Sequence, residues 1–161
     1  VAAIDGVCAG AGAIIAMASD LRYGTSRSKV AFLFNRVGLA GCDMGACNML
    51  PRIVGHGRAM ELILTGRPVG AAEALAIGLV NRVVPKGAAR AVAEALAEEI
   101  AAFPQACLRA DRRSACEQWS LAEDAALRGE FARGRAVLEG GESAAGAARF
   151  IGGAGRGGRP A

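Results

Sequence analysis

A short apolar segment, a glycine-rich turn and a run of small residues open this sequence, and together they constrain the fold more than any other feature. Residues 1–4 are apolar and end at the turn dipeptide Asp5-Gly6, so they predict a buried strand. Gly10-Ala11-Gly12 then leads into residues 13–18, which are apolar on every side and predict a fully buried helix. A strand, a turn and a helix in this order are typical of an α/β fold.

Short strands and helices alternate from there to residue 86. The predicted elements are strands at 20–23, 29–32 and 79–84 and helices at 42–50, 57–64 and 71–77. Pro51 is expected to end the first of these helices, because proline has no N–H to donate inside a helix. We therefore predict an α/β core over residues 1–86.

The pattern from residue 87 onward is helical. Apolar residues spaced four, four and three apart predict a helix over 88–102, and Pro104 opens a second helix that runs to Trp119. Ser120-Leu-Ala-Glu123 is a capping box that predicts a third helix through Leu138. A last helix over 142–150 precedes a tail rich in glycine and arginine, so we predict a helical C-terminal region over residues 87–161.

Composition excludes several classes of protein. With 161 residues, 53% of them hydrophobic, the chain is long enough to bury a core and too apolar to be disordered. The apolar stretch 7–19 is too short to span a bilayer and no signal-peptide pattern precedes it, so we predict a cytoplasmic protein without a membrane partner. Aromatic residues are only 4%, and no basic cluster lies among them, which argues against nucleic acid despite a net charge of +4.

The five cysteines form no Cys-x-x-Cys pair, and their number is odd. This pattern fits neither a disulfide framework nor a zinc site. We therefore predict no metal, and cysteines that act as small buried hydrophobic residues in a reducing compartment.

The turn at Gly10-Ala11-Gly12 is the first place where chemistry could occur. Small residues allow another group to approach the backbone, and the start of the following helix offers free N–H donors at its positive end. That arrangement suits an oxyanion or a phosphate, although no Walker motif is present. The alternative is close packing of the helix on the strand, and these residues alone leave both interpretations open.

Several blocks resemble the crotonase (enoyl-CoA hydratase/isomerase) superfamily in the same order. They are Ala-Ala-Ile-Asp-Gly-x-x-x-Gly-Ala-Gly near the start, Ser-Asp20-Leu-Arg-Tyr, Leu-Pro-Arg-Ile-Val-Gly55, Leu64-Thr-Gly-Arg-Pro, and Ala71-Ala-Glu-Ala-Leu-Ala-Ile-Gly-Leu-Val-Asn-Arg-Val-Val-Pro85. The resemblance implies a ββα spiral followed by a helical region that packs trimers or hexamers of identical chains. It covers the downstream part of the family's fold only, and the chain opens at Val1 inside a strand, so we expect a fragment that lacks the family's N-terminal part.

The resemblance implies an acyl-CoA enzyme in which two backbone N–H groups bind the thioester oxygen as it becomes an enolate. By position, Ala11 matches the residue that supplies the second N–H. Coenzyme A is then part of the acyl-CoA substrate, and no separate cofactor is expected.

Two positions depart from the family's pattern. Ile14 and Phe34 stand where typical hydratases carry a glutamate pair. Neither side chain can activate water or deliver a proton, so hydration by the two-glutamate mechanism is not expected. Both are expected to line the substrate instead, together with Gly10 and Gly12.

Asp43 is the acidic residue nearest to the expected pocket. It is either a helix cap, which the helix dipole favours, or a catalytic base or nucleophile. Hydroxyacyl-CoA hydrolases and aryl-CoA dehalogenases of the superfamily carry an aspartate in this loop, which here is one residue longer than the usual pattern.

Other residues are weaker candidates. His56, the only histidine, is interpreted as a surface or cap residue, Cys42 and Cys47 as packing residues, and Trp119 as an anchor of helix packing. Four arginines could meet the phosphates of coenzyme A, although arginine on a solvated face is the simpler interpretation: Arg36, Arg67, Arg156 and Arg159.

Three functions follow. The leading hypothesis is an acyl-CoA enzyme that uses the Ala11 N–H for the oxyanion, and Asp43 or an upstream residue for proton transfer. The second is a subunit without catalysis that acts through assembly, because Ile14 and Phe34 replace the acids. The third is a truncated product without function, whose open strand edge and exposed apolar face would aggregate.

Overall fold

A computed structural model describes residues 1–153, so Arg156 and Arg159 lie outside the described residues. The chain divides into two compact units, Val1–Ala97 and a second that begins at Glu98. This boundary falls within a helix and lies later than the predicted one between residues 86 and 87. No helix in residues 1–153 is both long enough and apolar enough to cross a membrane.

The first unit opens with two strands and a helix, and two more strands follow. These elements are β1 (Ala2–Ile4), β2 (Val7–Ala9), α1 (Ala11–Ala18), β3 (Arg22–Thr25) and β4 (Lys29–Ala31). β1 pairs in parallel with β3, where Ala3 faces Tyr23, and β2 pairs in parallel with β4, where Cys8 faces Val30. Equivalent strands of successive turns therefore lie side by side, which is how a ββα spiral is built.

Two further strands complete two small sheets. β5 (Val69–Gly70) runs antiparallel to β4, and β6 (Arg82–Val84) runs parallel to β3. The strand orders are β1-β3-β6 and β2-β4-β5, so β1 and β2 each lie at a sheet edge.

Helices and short 3₁₀ segments cover these sheets and bury the core. They are the 3₁₀ helices Phe34–Val37 and Gly41–Met44 and the helices α2 (Ala46–Val54), α3 (His56–Thr65), α4 (Ala71–Ala76) and α5 (Ala89–Ala102). The largest fully buried side chains come from strands, helices and connections alike: Phe32, Leu50, Leu62, Val69 and Leu79. Their burial holds the small strands together, because two or three residues per strand provide few ladder hydrogen bonds.

Several predictions for this unit are wrong in detail. α1 is not buried on every side, since Ile15 is 69% exposed. Pro51 does not end α2: its carbonyl accepts from the Gly55 N–H at 3.0 Å, and burial of Leu50 and Val54 on either side favours the helix despite the missing donor. β2 was not predicted, because Val7–Ala9 is short and only one of its residues is β-branched.

The second unit contains α6 (Gln105–Glu117), a 3₁₀ turn Gln118–Ser120, α7 (Glu123–Glu139) and α8 (Glu142–Ile151). The predicted capping box is wrong: the Ser120 hydroxyl donates to the Glu117 carbonyl at 3.0 Å, and Ala122 is the N-cap of α7. The Glu142 carboxylate instead accepts from the N–H groups of Ala106 at 3.2 Å and Cys107 at 3.0 Å, so α8 caps the start of α6.

Candidate active site

A tight turn at Gly10 positions the start of α1. Gly10 has φ 54° and ψ −125°, a backbone conformation that side chains rarely adopt. Its N–H donates to the Ala31 carbonyl at 3.1 Å, and its own carbonyl accepts from the Ile14 N–H at 3.2 Å. Ala11 is therefore the first helical residue, and its N–H belongs to the group that no intrahelical acceptor can reach. Ala11 and Gly12 are both exposed, so this positive helix end is accessible.

The Asp5 carboxylate anchors the turn that leads to Gly10. It accepts from Arg27 Nε at 2.7 Å and Nη2 at 2.9 Å, and from the Thr25 hydroxyl at 2.7 Å. The hydrogen bond from Arg27 is the main cause that lowers the pKa of Asp5 from 3.8 to about 2, and the bond from Thr25 adds to it. The turn between β1 and β2 is thus tied to the one between β3 and β4.

The buried hydroxyl of Ser28 reinforces the same connection. Ser28 Oγ donates to the Ile4 carbonyl at 2.7 Å and accepts from the Thr25 N–H at 2.8 Å. Thr25, Arg27 and Ser28 were not predicted to take part in this connection. The pattern that could have indicated it is an acidic residue directly after β1 and a polar loop directly after β3.

Arg22, within the block Ser-Asp20-Leu-Arg-Tyr, is also a structural residue. Its side chain is buried, donating from Nε to the Leu79 carbonyl at 2.9 Å and from Nη1 to the Ser19 carbonyl at 2.5 Å. Burial lowers the pKa of the Arg22 guanidinium, and the nearby Asp20 charge opposes that effect. Arg22 joins β3 to the segment before β6 and is not available to a ligand.

Ile14 and Phe34, which replace the expected acids, both belong to the hydrophobic core. Phe34 also lies along an apolar pocket of about 330 Å³. Its ring packs against Gly41, where an added Cβ would lie 2.9 Å from Phe34 Cδ2. The residues lining this pocket are Phe32, Phe34, Asn35, Leu39, Ala40, Gly41, Cys42, Ala46, Cys47, Ile63 and Leu64.

Asp43 lies close to that pocket in sequence but is not among the residues that line it. It is exposed and sits in the first turn of the 3₁₀ helix Gly41–Met44. Asp43 is not itself the cap residue, since Ala40 is the N-cap of this 3₁₀ helix and Gly45 is the N-cap of α2, but its place in the first turn agrees with an acid favoured by the helix dipole.

Two arginines suggested for phosphate binding are already engaged. Arg67 forms a fork on Glu73, at 2.9 and 2.6 Å, and contacts Glu61 at 2.7 Å. These hydrogen bonds raise the pKa of the Arg67 guanidinium. The hydrogen bond from Arg67 in turn lowers the pKa of the Glu73 carboxyl group. Arg36 donates to the Thr65 carbonyl at 3.3 Å from both Nε and Nη2. Both arginines organise the surface around α3.

The remaining candidates differ in their surroundings. His56 is the exposed first residue of α3, and Trp119 is 58% exposed. All five cysteines are free, but the prediction that they are buried is wrong: Cys42, Cys47 and Cys116 are exposed, and Cys8 and Cys107 are half-buried. No group of three or more metal-ligating side chains within residues 1–153 could hold a metal ion.

Comparison with known proteins identifies the fold. The model of the family described as enoyl-CoA hydratase/isomerase matches residues 1–151. The chain belongs to this family. A crystal structure from Streptomyces coelicolor A3(2), provisionally named an enoyl-CoA hydratase, superposes with a TM-score of 0.89 at 36% identity over 92% of this chain and 54% of that one. The predicted fold class, an α/β crotonase-like spiral followed by helices, is confirmed.

Curated relatives include more than one kind of enzyme that acts on a coenzyme A thioester. A probable enoyl-CoA hydratase of Mycobacterium tuberculosis is 35% identical over 127 residues, which are 79% of this chain and 44% of that protein. The 4-chlorobenzoyl coenzyme A dehalogenase-1 of an Arthrobacter species is 39% identical over 103 residues, which are 64% of this chain and 37% of that protein. The chain thus spans less than half the length of these relatives.

Proposed function

We propose that this crotonase-family chain takes part in an acyl-CoA reaction and that the Ala11 N–H binds the thioester oxygen as negative charge develops on it. The observation that carries this proposal is the turn at Gly10, which leaves the Ala11 N–H exposed at the positive end of α1. A preorganised donor of this kind lowers the barrier by about 3 kcal/mol, because it needs no reorientation when the enolate forms.

The space beside this donor suits a substrate backbone or thioester. A Cβ added at Gly10 or Gly12 would meet no atom within 4 Å, so both positions leave open space next to Ala11. Coenzyme A enters as part of the substrate, and the oxyanion step itself requires no separate cofactor.

Proton transfer needs a group other than Ile14 or Phe34, which lie in the core. We infer that Asp43 serves as the base or nucleophile, because it is an exposed carboxylate two residues after Gly41, which packs against Phe34. The similarity to a dehalogenase supports a nucleophilic role as well as a basic one. Addition of water by a glutamate pair at positions 14 and 34 is not part of the proposal.

The direct test of enolate formation is exchange of the α-protons of a saturated acyl-CoA with D₂O, followed by NMR. Gly10→Ala is expected to reduce the exchange rate about a hundredfold, because a side chain strains this φ and displaces the Ala11 N–H. Gly55→Ala is the matched control: Gly55 also has a positive φ and open space, but it lies at the start of α3. Equal exchange in the two variants, or acyl-CoA binding no tighter than that of adenosine nucleotides, would refute the proposal.

Asp43→Asn tests separately the proposal that Asp43 is the base or nucleophile. Loss of exchange with acyl-CoA binding retained would support Asp43 as the base, whereas unchanged turnover would remove it from the mechanism. The exposed position of Asp43 means that this substitution leaves the core intact.

The alternative function is a subunit that acts through assembly with copies of itself. The second unit favours it, since Leu127, Phe131 and Leu138 on α7 are 58%, 72% and 65% exposed. Large apolar side chains exposed in a row usually mark a contact surface. We propose that this face packs against a second copy, whether or not the chain is catalytic.

A further inference from the structure

Two free thiols share one apolar pocket in the first unit. Cys42, in the 3₁₀ helix Gly41–Met44, and Cys47, in the first turn of α2, both line the pocket beside Phe34. Both are exposed, so a reagent can reach them from solvent. The pocket, of about 330 Å³, is large enough to accept a small ring or a short alkyl chain next to either sulfur.

The walls of this pocket are chemically uniform. Apart from the two thiols, Asn35 is the polar side chain among the lining residues, and its Nδ2 already donates to the Leu64 carbonyl at 2.6 Å. The remaining walls are aliphatic and aromatic, including Leu39 and Ile63. An apolar group that enters the pocket would therefore be held by burial and not by hydrogen bonds.

Cys47 lies at the second position of the nine-residue helix α2, where its side chain lines the pocket. Cys116 offers a natural comparison, because it is also exposed but lies in α6 and is not among the pocket's lining residues.

We propose that Cys42 and Cys47 form a modification site for apolar α,β-unsaturated carbonyl compounds. The thiolate adds to the β-carbon, the C=C π electrons move to the α-carbon as an enolate, and the α-carbon takes a proton from water. One S–C bond forms, one C=C bond becomes single, and no group leaves. This reaction does not require the proposed acyl-CoA activity, although Phe34, which is expected to line the acyl-CoA substrate, also lines this pocket.

The test compares two maleimides that differ only in their substituent, N-phenylmaleimide and N-(2-hydroxyethyl)maleimide, on the full chain. Peptide mapping by mass spectrometry gives the rate at Cys42 and Cys47 relative to Cys116 in the same molecule. The phenyl reagent is expected to raise this ratio about tenfold over the hydroxyethyl reagent, as partial burial of one ring predicts. In urea the two reagents should give equal ratios.

Two leucine variants test whether the pocket, and not the thiols alone, causes the preference for the phenyl reagent. Leu64 lines the pocket and is 67% exposed, so Leu64→Gln should abolish the phenyl preference without disturbing the core. Leu75, 45% exposed on α4 and outside the pocket lining, provides the control Leu75→Gln, which should retain it. Equal ratios for the two reagents in the folded wild-type chain, or a preference that survives Leu64→Gln, would overturn the proposal.

Discussion

The carboxylate of Asp5 shows how one residue beside a candidate site can connect parts of the chain that are distant in sequence. It receives three hydrogen bonds from Thr25 and Arg27, and it directly follows β1. Those bonds are stronger when the carboxylate is ionised, which is why they lower its pKa to about 2. The link between the β1–β2 turn and the β3–β4 turn therefore depends in part on a charge that acid can remove.

Asp5 leads to a prediction about pH. A folded-state pKa below the ordinary value of 3.8 stabilises the folded chain fully above pH 3.8, and this contribution is lost as the pH falls toward about 2. Asp5→Asn is expected to lower the free energy of unfolding at pH 7 and to flatten its fall between pH 3.8 and 2. Urea unfolding at a series of pH values measures both effects.

The control for that experiment is Glu94→Gln, which breaks the exposed i,i+4 pair with Arg90. Exposed helical pairs contribute only about 0.3–0.5 kcal/mol, so this variant should follow the wild-type pH curve closely. If Asp5→Asn also followed the wild-type curve, the three hydrogen bonds would not determine stability.

The lack of space for a side chain at Gly41 gives a second prediction at the scale of single residues. A Cβ there would lie 2.9 Å from Phe34 Cδ2 and 3.4 Å from the Ala46 Cβ, and Phe34 is too buried to move freely. Gly41→Ala is expected to destabilise the fold by about 1–3 kcal/mol through overpacking. Thermal or urea unfolding provides the measurement.

Gly57 supplies the matched comparison. It lies in α3, and a Cβ there would meet nothing within 4 Å. Gly57→Ala should stabilise the fold by about 0.5–1 kcal/mol, since alanine favours a helix. Opposite signs for the two substitutions support the packing of Phe34 on Gly41, and equal signs would contradict it.

Among the secondary-structure elements, those with a strong apolar pattern were predicted best. α3, and α5 with its apolar stripe, occur within one residue of the predicted bounds. β2 and the course of α2 past Pro51 were not predicted, because pairing with β4 and burial of neighbouring leucine and valine residues decide them. Neither influence is local in sequence.

The candidate site was predicted only in part from the sequence. The turn at Gly10 and the helix after it follow from small residues in a short window, so the sequence predicted both, although α1 begins at Ala11, two residues before the predicted start. The exposure of Asp43 and the shared pocket of Cys42 and Cys47 depend on how a 3₁₀ helix packs beside Phe34. That packing brings together residues from four separate segments, and no short motif specifies it.

The contact between Glu142 of α8 and the start of α6 leads to a prediction about the stability of the helical unit. Glu142→Ala removes an acceptor for two N–H groups of α6 and also removes an acidic residue from the first turn of α8. Glu123→Ala removes only an acidic residue from the first turn of α7. Glu142→Ala should therefore cost about 1 kcal/mol more than Glu123→Ala.

Hydrogen exchange identifies the cause of that difference. The amides of Ala106 and Cys107 should exchange faster in Glu142→Ala and remain as in the wild type in Glu123→Ala. Unchanged protection of both amides in Glu142→Ala would show that the cap does not hold in solution.

At the scale of the whole molecule, the apolar face of α7 predicts association. Leu127, Phe131 and Leu138 are four and seven residues apart, which places them on one side of the helix. Phe131→Ser is expected to weaken self-association at least about tenfold in sedimentation velocity, with little change in the stability of the monomer because Phe131 is 72% exposed.

Ala132→Ser is the matched control, since Ala132 is exposed on the same helix but away from that face. It adds the same hydroxyl group without removing an aromatic ring. A wild-type chain that sediments as a monomer at all concentrations, or equal association of the two variants, would contradict the proposed contact.

The Gly10 turn also has a consequence for how this chain can change over generations. The group offered at Ala11 is a main-chain amide, so many side chains could occupy that position without removing it. Gly10 cannot be substituted in the same way, because its φ of 54° is unfavourable for any residue with a side chain, even though the space beside it is open. If Ala11 is the oxyanion donor, as proposed, substitutions would therefore be tolerated at Ala11 itself and selected against one residue earlier.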